Sequence, residues 1–298
     1  MNKKYYVGID VGGTNVRLGL VDQDLNILFE EKHQSSKIGS KLGQLVKEFV
    51  SKYSINYKVE AISMGFPGLV DQETRKVLHI PNQKSFEGDY LMALEKELNI
   101  PIIVGNDVNV ILLYDALFFS IDPKKSVLGF YLGTGFGNAI RIKGELYQGE
   151  FGAAGEIGHV PVYLNGIDYQ ADKQNDLESI VSGFNLIEIH KKHFSQTPFE
   201  DIFKKHFDAK EIQNYLHILA FYIATEMTIL DISTIILGGG VIMSEQFPKD
   251  YLETLIKKNL FAELTKKNFK AYYALPQVNS GILGAVIYAK NILDKKAA

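Results

Sequence analysis

The chain has 298 residues, 46% hydrophobic and 22% charged, with a formal net charge of −3. This balance fits a globular chain of one large or two ordinary domains; it excludes a disordered segment and supplies no field favouring nucleic acid or an anionic membrane. With no cysteine, disulfides and thiolate metal sites are excluded. Residues 1–10 contain no apolar run of signal-peptide length. The most apolar long stretch, 221–243, includes Glu226, Asp231 and three consecutive glycines, which rules it out as a membrane span. The expectation is a cytoplasmic protein with neither nucleic acid nor membrane as partner.

In chain order, Val7 to Val11 reads as a strand ending at Gly12-Gly13, and Val16 to Val21 returns as its hairpin partner. Leu42, Leu45, Val46, Phe49 and Val50 share one helical face. Val59 to Met64 is a strand running into the turn Gly65-Phe66-Pro67-Gly68. Ile100 to Val104 is a short buried strand, and Asn106-Asp107 precedes a helix from Val108 to Phe119. The same plan then restarts: strand Ser126 to Leu132, turn Gly133-Thr134-Gly135, returning strand Asn138 to Ile142. Set side by side, Gly12 falls on Gly133 and Val7-Gly8-Ile9 on Leu128-Gly129-Phe130, which points to an internal repeat. Helices are expected over 178–192, 211–230, 251–260 and 280–293, with strands at 234–237 and 270–274. Strands alternating with helices argue for α/β layers, and two such halves would enclose a ligand cleft. The expected division is a small α/β domain over 1–119, completed by a C-terminal helix at 286–298, and a large α/β domain over 120–285.

Four glycine turns carry the chemistry. In Asp10-Val11-Gly12-Gly13-Thr14 the missing Cβ atoms let backbone N–H groups approach phosphate oxygens, and Thr14 adds a hydroxyl. Asp10 at the strand end suits Mg²⁺ held through water. An ordinary hairpin with an Asp turn former explains the same residues. No Gly-Lys-Ser/Thr follows, so this is not a P-loop. Gly133-Thr134-Gly135 could grip a polyphosphate from a second side, or simply make a tight hairpin. Gly238-Gly239-Gly240 offers bare backbone to a flat ring such as adenine where the strand opens onto a helix, or is a plain turn. Gly65 to Gly68 is a stiff turn that could shape a sugar pocket, or equally a plain turn. Polar groups suited to sugar hydroxyls are Asn82, Asn106, Asp107, Glu156, His159 and Glu178. Asp107 reads equally well as a helix N-cap, Glu178 as a helix-start carboxylate and His159 as a structural histidine. Phosphoryl transfer to a hydroxyl needs one carboxylate to accept the proton, and Asp107 can supply it. Paired carboxylates for glycoside cleavage remain a competing reading, but one that leaves the glycine turns without a role.

Taken together these motifs resemble the ROK family (repressors, open reading frames, kinases), whose sugar kinases share the actin-like ATPase fold of hexokinases. The resemblance runs from Asp10 to about Gly284. It rests on Asp10-Val11-Gly12-Gly13-Thr14, Gly65 to Gly68, Pro81-Asn82, Gly105-Asn106-Asp107-Val108-Asn109, Leu132 to Gly135, Gly155-Glu156-Ile157-Gly158-His159 and Leu237 to Gly240, in family order. It implies a two-domain, ribonuclease H-like fold with a cleft between the domains, and ATP and Mg²⁺ as cosubstrate and metal. By resemblance Asp107 is the base that takes the proton of the sugar 6-hydroxyl. Gly68, Asn82, Asn106, Glu156, His159 and Glu178 are the sugar site. Gly12, Gly13, Thr14, Gly133, Thr134 and Gly135 meet phosphate; Gly238, Gly239 and Gly240 meet adenosine; and Asp10 is the Mg²⁺-associated carboxylate. The family is commonly dimeric, so a homodimer is the expected assembly.

One departure stands out. Most members bind structural zinc through the His of Gly-Glu-x-Gly-His and three cysteines. The corresponding positions here are His159, Tyr169, Ala171 and Asp176, with the sugar-binding Glu at Glu178. The spacing survives and every thiolate is gone. A lone His and Asp cannot close a zinc site, so no structural zinc is expected, and the tautomer of His159 must be set by another group. The surroundings of Asn82, Asp107 and Tyr131 to Gly135 resemble the D-allose kinases more than the glucokinases; glucose, N-acetylmannosamine and fructose are the runners-up. The family's sugar-responsive repressors carry an N-terminal helix-turn-helix, for which residues 1–6 leave no room before the first strand. A non-catalytic sugar sensor is the remaining alternative.

Overall fold

The computed structural model describes residues 3–80, 83–162, 176–274 and 279–297. The chain divides into two compact units: 1–120 with 148–153 and 277–298, and 121–147 with 154–276. This differs from the division expected from sequence in two ways. Residues 148–153 return to the first unit, and the C-terminal contribution begins at 277. Neither exchange leaves a compositional mark.

The first unit is a sheet of five strands in the order β3-β2-β1-β4-β7. The strands are β1 (Tyr5–Val11), β2 (Asn15–Asp22), β3 (Ile27–Gln34), β4 (Val59–Phe66) and β7 (Ile102–Asn106). A separate hairpin joins β5 (Leu69–Asp71) and β6 (Lys76–His79). β1, β2 and β3 pair antiparallel, whereas β4 and β7 add in parallel. Helix α1 (Leu42–Ser54) buries Leu42, Leu45, Val46, Phe49 and Val50, one stripe at helical spacing. Helices α2 (Leu91–Leu98) and α3 (Asp107–Phe118) follow within this unit.

The second unit repeats the plan. Its strands are β8 (Val127–Leu132), β9 (Phe136–Ile142), β10 (Glu145–Leu146), β11 (Thr234–Gly238) and β12 (Lys270–Tyr273), in the order β10-β9-β8-β11-β12. Again two antiparallel pairings are followed by two parallel ones. The repeat expected from Gly12 and Gly133 therefore extends over both five-stranded sheets. Helices α4 (Gly183–His193), α5 (Lys210–Leu230) and α6 (Lys249–Asn259) complete the unit. Leu216, Leu219 and Ile223 of α5 share a core with Phe130 and Ile235 of the sheet.

The last helix, α7 (Ser280–Ala297), lies against β1, β4 and α3 of the first unit. Glycines permit that approach. A Cβ on Gly8 would overlap the Ile282 carbonyl oxygen, and one on Gly284 would overlap the Val110 carbonyl oxygen. Among the described residues no helix is long and apolar enough to cross a membrane.

Two local expectations need correction. The helix expected over 178–192 breaks at Val181-Ser182, because Ser182 turns extended and its hydroxyl caps α4 by accepting from Asn185 N–H at 3.1 Å. After Gly238-Gly239-Gly240 the chain makes turns, and the next helix begins only at Lys249.

Candidate functional site

In the first unit the relevant residues leave one edge of the sheet. Asp10, Gly65 and Gly105 stand side by side across β1, β4 and β7. The Gly12–Thr14 turn, the Gly65–Gly68 turn and the Asn106-Asp107 junction therefore emerge together from the carboxyl ends of the strands. That is where open parallel sheets bind ligands.

The Gly12–Thr14 turn is braced from behind. Ser35 Oγ donates to the Gly12 carbonyl at 2.7 Å, Ser35 N–H donates to the Thr14 carbonyl at 2.9 Å, and Gln83 Nε2 donates to the Gly13 carbonyl. All three carbonyl oxygens, which would repel a phosphate, are thereby held by protein donors. Asp10 is largely buried, and burial raises its carboxyl to about 6 against the opposing pull of Arg17. Its side chain fits only because Gly281 of α7 has no Cβ, which would fall 2.5 Å from Asp10 Cγ.

Asp107 is the first residue of α3, but it is not the cap. Asn106 is: its backbone is extended, and its Oδ1 accepts from Asn109 N–H at 3.1 Å. Its Nδ2 donates to the Gly68 carbonyl at 3.3 Å, tying the helix start to the Gly65–Gly68 turn. The cap role open to Asp107 from sequence thus belongs to its neighbour. Asp107 Oδ1 accepts from Val108 N–H at 2.8 Å. A Cβ on Gly65 would press on Val110 Cγ2 at 3.0 Å and stand in ordinary contact with Asp107 Cα at 3.4 Å. Asn82 lies outside the described residues.

The second unit carries the other set. Glu178 Oε2 accepts from Phe136 N–H at 2.7 Å, directly beside the Gly133–Gly135 turn. A Cβ on Gly135 would overlap Glu178 Oε2 and push that carboxylate aside. His159 lies between two carboxylates. Its Nδ1 is 3.3 Å from Asp176 Oδ2 and its Nε2 is 3.9 Å from Glu156 Oε2. Burial raises the Glu156 carboxyl and the nearby Glu178 raises it further, while His159 opposes them. The sequence alone gives Asp176 no contact role. Its signal was its place in the otherwise emptied metal spacing.

The glycines sort into two kinds. Beside Gly13, Gly133 and Gly240 nothing lies within 4 Å of where a Cβ would stand. Gly238 instead faces the Tyr131 ring at 2.8 Å, and Gly239, at φ +88°, would overlap the Leu132 backbone. The first three are bare toward open space, whereas Gly135, Gly238 and Gly239 are glycines for internal packing.

In the sequence Glu226 on α5 stands out only as a charge in an apolar run. It is half-buried with its Oε2 enclosed, and burial raises its carboxyl to about 8 against the opposing hydrogen bond from Asn138. Asn138 Nδ2 also donates to the Gly129 carbonyl, and Asn138 Oδ1 lies 3.0 Å from the Cβ position of Gly155, at the turn leading to Glu156.

The ROK family model matches residues 6–292. An N-acetyl-D-glucosamine kinase of Vibrio parahaemolyticus is 28% identical over 268 residues, covering 82% of this chain and 88% of the relative. A glucokinase of Halalkalibacterium halodurans is 28% identical, covering 94% and 89% respectively. A solved ROK family glucokinase from Streptomyces griseus, in complex with glucose and AMPPNP, superposes with a TM-score of 0.74 at 24% identity, over 96% of this chain and 99% of that one. The chain belongs to the ROK family and has its actin-like ATPase fold.

Proposed function

We propose that this ATP-dependent sugar kinase transfers the γ-phosphoryl group of ATP to the 6-hydroxyl of an aldohexose, with Asp107 as the base. The reading is carried by one observation: the Asp107 carboxylate and the braced Gly12–Thr14 turn leave the same sheet edge. Asp107 takes the hydroxyl proton as the sugar oxygen attacks the γ-phosphorus; the bond to the β-bridging oxygen breaks and ADP departs. Such a reaction depends on positioning and on stabilising charge. Asn106, with its Nδ2 on the Gly68 carbonyl and its Oδ1 on the α3 cap, holds Asp107 in place. Gly13 and Gly133 present bare backbone suited to phosphate, and Gly240 to the adenosine side. Glu156, His159 and Glu178 contact the sugar. Mg²⁺, when bound, neutralises phosphate charge; the single carboxylate of Asp10 suits an ion that keeps most of its waters and takes phosphate oxygens.

Among hexoses we favour D-allose, on the motifs around Asn82, Asp107 and Tyr131 to Gly135. Glucose and N-acetylglucosamine, the acceptors in the relatives' names, are its competitors. No structural zinc is part of the reading. The test is sugar-dependent ADP formation over a panel of allose, glucose, mannose, fructose and N-acetylhexosamines. No turnover with any of them defeats the kinase reading. In the same assay Asp107→Asn keeps sugar binding while turnover falls by at least ~10²-fold, the scale of a general base. Near-normal turnover removes Asp107 from the mechanism.

A further inference from the structure

One carboxylate in the second unit is used twice. Asp176 Oδ1 accepts from Ser179 N–H at 2.9 Å and so caps the single helical turn Leu177–Ile180 that presents Glu178. Its other oxygen, Oδ2, is 3.3 Å from His159 Nδ1. The backbones meet as well: Leu177 N–H donates to the Val160 carbonyl at 3.0 Å, and Pro161 and Asp176 form an antiparallel bridge. His159 itself follows Glu156 in one tight turn, its N–H on the Glu156 carbonyl at 3.0 Å. Glu156, His159 and Glu178 are thus referred to a single hub.

The chemistry of the pair is directional. A carboxylate only accepts, so the ring must donate from Nδ1. In the neutral ring that leaves the Nε2 lone pair as the acceptor on the side of Glu156, 3.9 Å from its Oε2. A hydroxyl there can donate to Nε2 and meet Glu156 as well. His159 is exposed, with 62% of its side-chain surface accessible, so the pair adds little to stability. Its effect is on orientation.

We propose that Asp176 is a positioning residue for the sugar site: its Oδ2 fixes the His159 ring as the Nδ1–H tautomer, while its Oδ1 sets the helical turn that carries Glu178. The inference rests on the kinase reading and deepens it. It gives this cysteine-free chain an internal substitute for an external brace on His159.

The test is Asp176→Asn, which keeps a capping oxygen but loses the charge facing the ring. Asp176→Ser, whose hydroxyl can cap yet is too short to reach the ring, is the second variant. Two readouts are taken: sugar KM, ATP KM and kcat by ADP formation, and the ring nitrogen resonances of His159 by ¹⁵N NMR. The expected result is a sugar KM raised up to about tenfold, the worth of the hydrogen bond from a sugar hydroxyl that Nε2 can no longer accept in the other tautomer, with kcat and ATP KM unchanged. The ring resonances should move away from a dominant Nδ1–H form in both variants. In a His159→Ala background Asp176→Asn should add little, because the two residues act through one contact. Unmoved ring resonances overturn the proposal, as does a full additional loss in the His159→Ala background, or a sugar KM that stays at the wild-type value. If the wild-type chain phosphorylates no sugar the kinase reading fails, and the ring resonances still decide whether Asp176 holds His159.

Discussion

Replacing Gly135 with alanine separates the sugar side of the site from the phosphate side. Gly135 is not among the positive-φ glycines, so its backbone accepts an L side chain. The new Cβ would overlap Glu178 Oε2 and lie 3.0 Å from Glu178 Cδ. A carboxylate at the end of a flexible side chain yields by rotating away. In doing so it gives up the bond from Phe136 N–H at 2.7 Å. An amide bond to a charged group contributes about 1.5–3 kcal/mol. Glu178 is only half-buried and recovers part of this from water, so the lower end applies. That loss weakens the folded state, while sugar KM rises because the displaced carboxylate no longer meets the sugar, roughly tenfold for one hydrogen bond to a charged group. ATP KM should stay put, because the displaced group is the carboxylate and the open side of the turn at Gly133 is untouched. The assay is initial-rate ADP formation with each substrate varied at saturating levels of the other. A wild-type sugar KM, or an ATP KM that rises more than the sugar KM, would refute the assignment of Glu178.

Glu226 gives a stability prediction with a definite sign. Its carboxyl sits at 4.5 when unfolded and about 8 when buried, so its contribution is fully present below about pH 4.5 and lost as pH rises through about 8. Glu226→Gln should therefore stabilise the second unit in urea unfolding at pH 9 by up to a few kcal/mol and leave it nearly unchanged at pH 4.5; equal effects at both values would sink the account. Metal analysis of purified protein should find no stoichiometric zinc, and a strong chelator should leave the melting temperature unchanged. One bound zinc per chain would overturn this.

Local signals carried much of the fold. The α1 face was legible because five apolar residues at helical spacing suffice to define it, and all five are buried. The paired hairpins were legible because a strand, a glycine turn and a returning strand are all local. β3 was missed because it is an edge strand whose exposed positions include Glu30, Lys32 and Gln34, which gives it the look of a polar loop. β5 and β6 are too short to leave a pattern. The break at Ser182 was hidden because one hydroxyl decides it. At the site the residue types were readable and their partners were not. That Asn106 rather than Asp107 caps α3 depends on which side chain turns back. That Glu178 meets the Phe136 amide, and Asp176 the His159 ring, depends on contacts between residues far apart in sequence. No spacing rule reports the first of these, while the second left its only trace in the emptied metal spacing that joins His159 to Asp176.

The docking of α7 orders the molecule's assembly in time. A ribosome releases β1, β4 and α3 early and α7 last, with the whole second unit made in between. Until Gly281 and Gly284 arrive, the niche beside Asp10 and the back of α3 have no cover. The second unit, continuous from 154 to 276 and joined by the nearby 121–147, can close its core while still tethered. The half of the chain that is synthesised first is therefore the half that finishes last. Nascent chains stalled just short of α7 would hold a folded second unit and a first unit still lacking the helix that packs against Asp10.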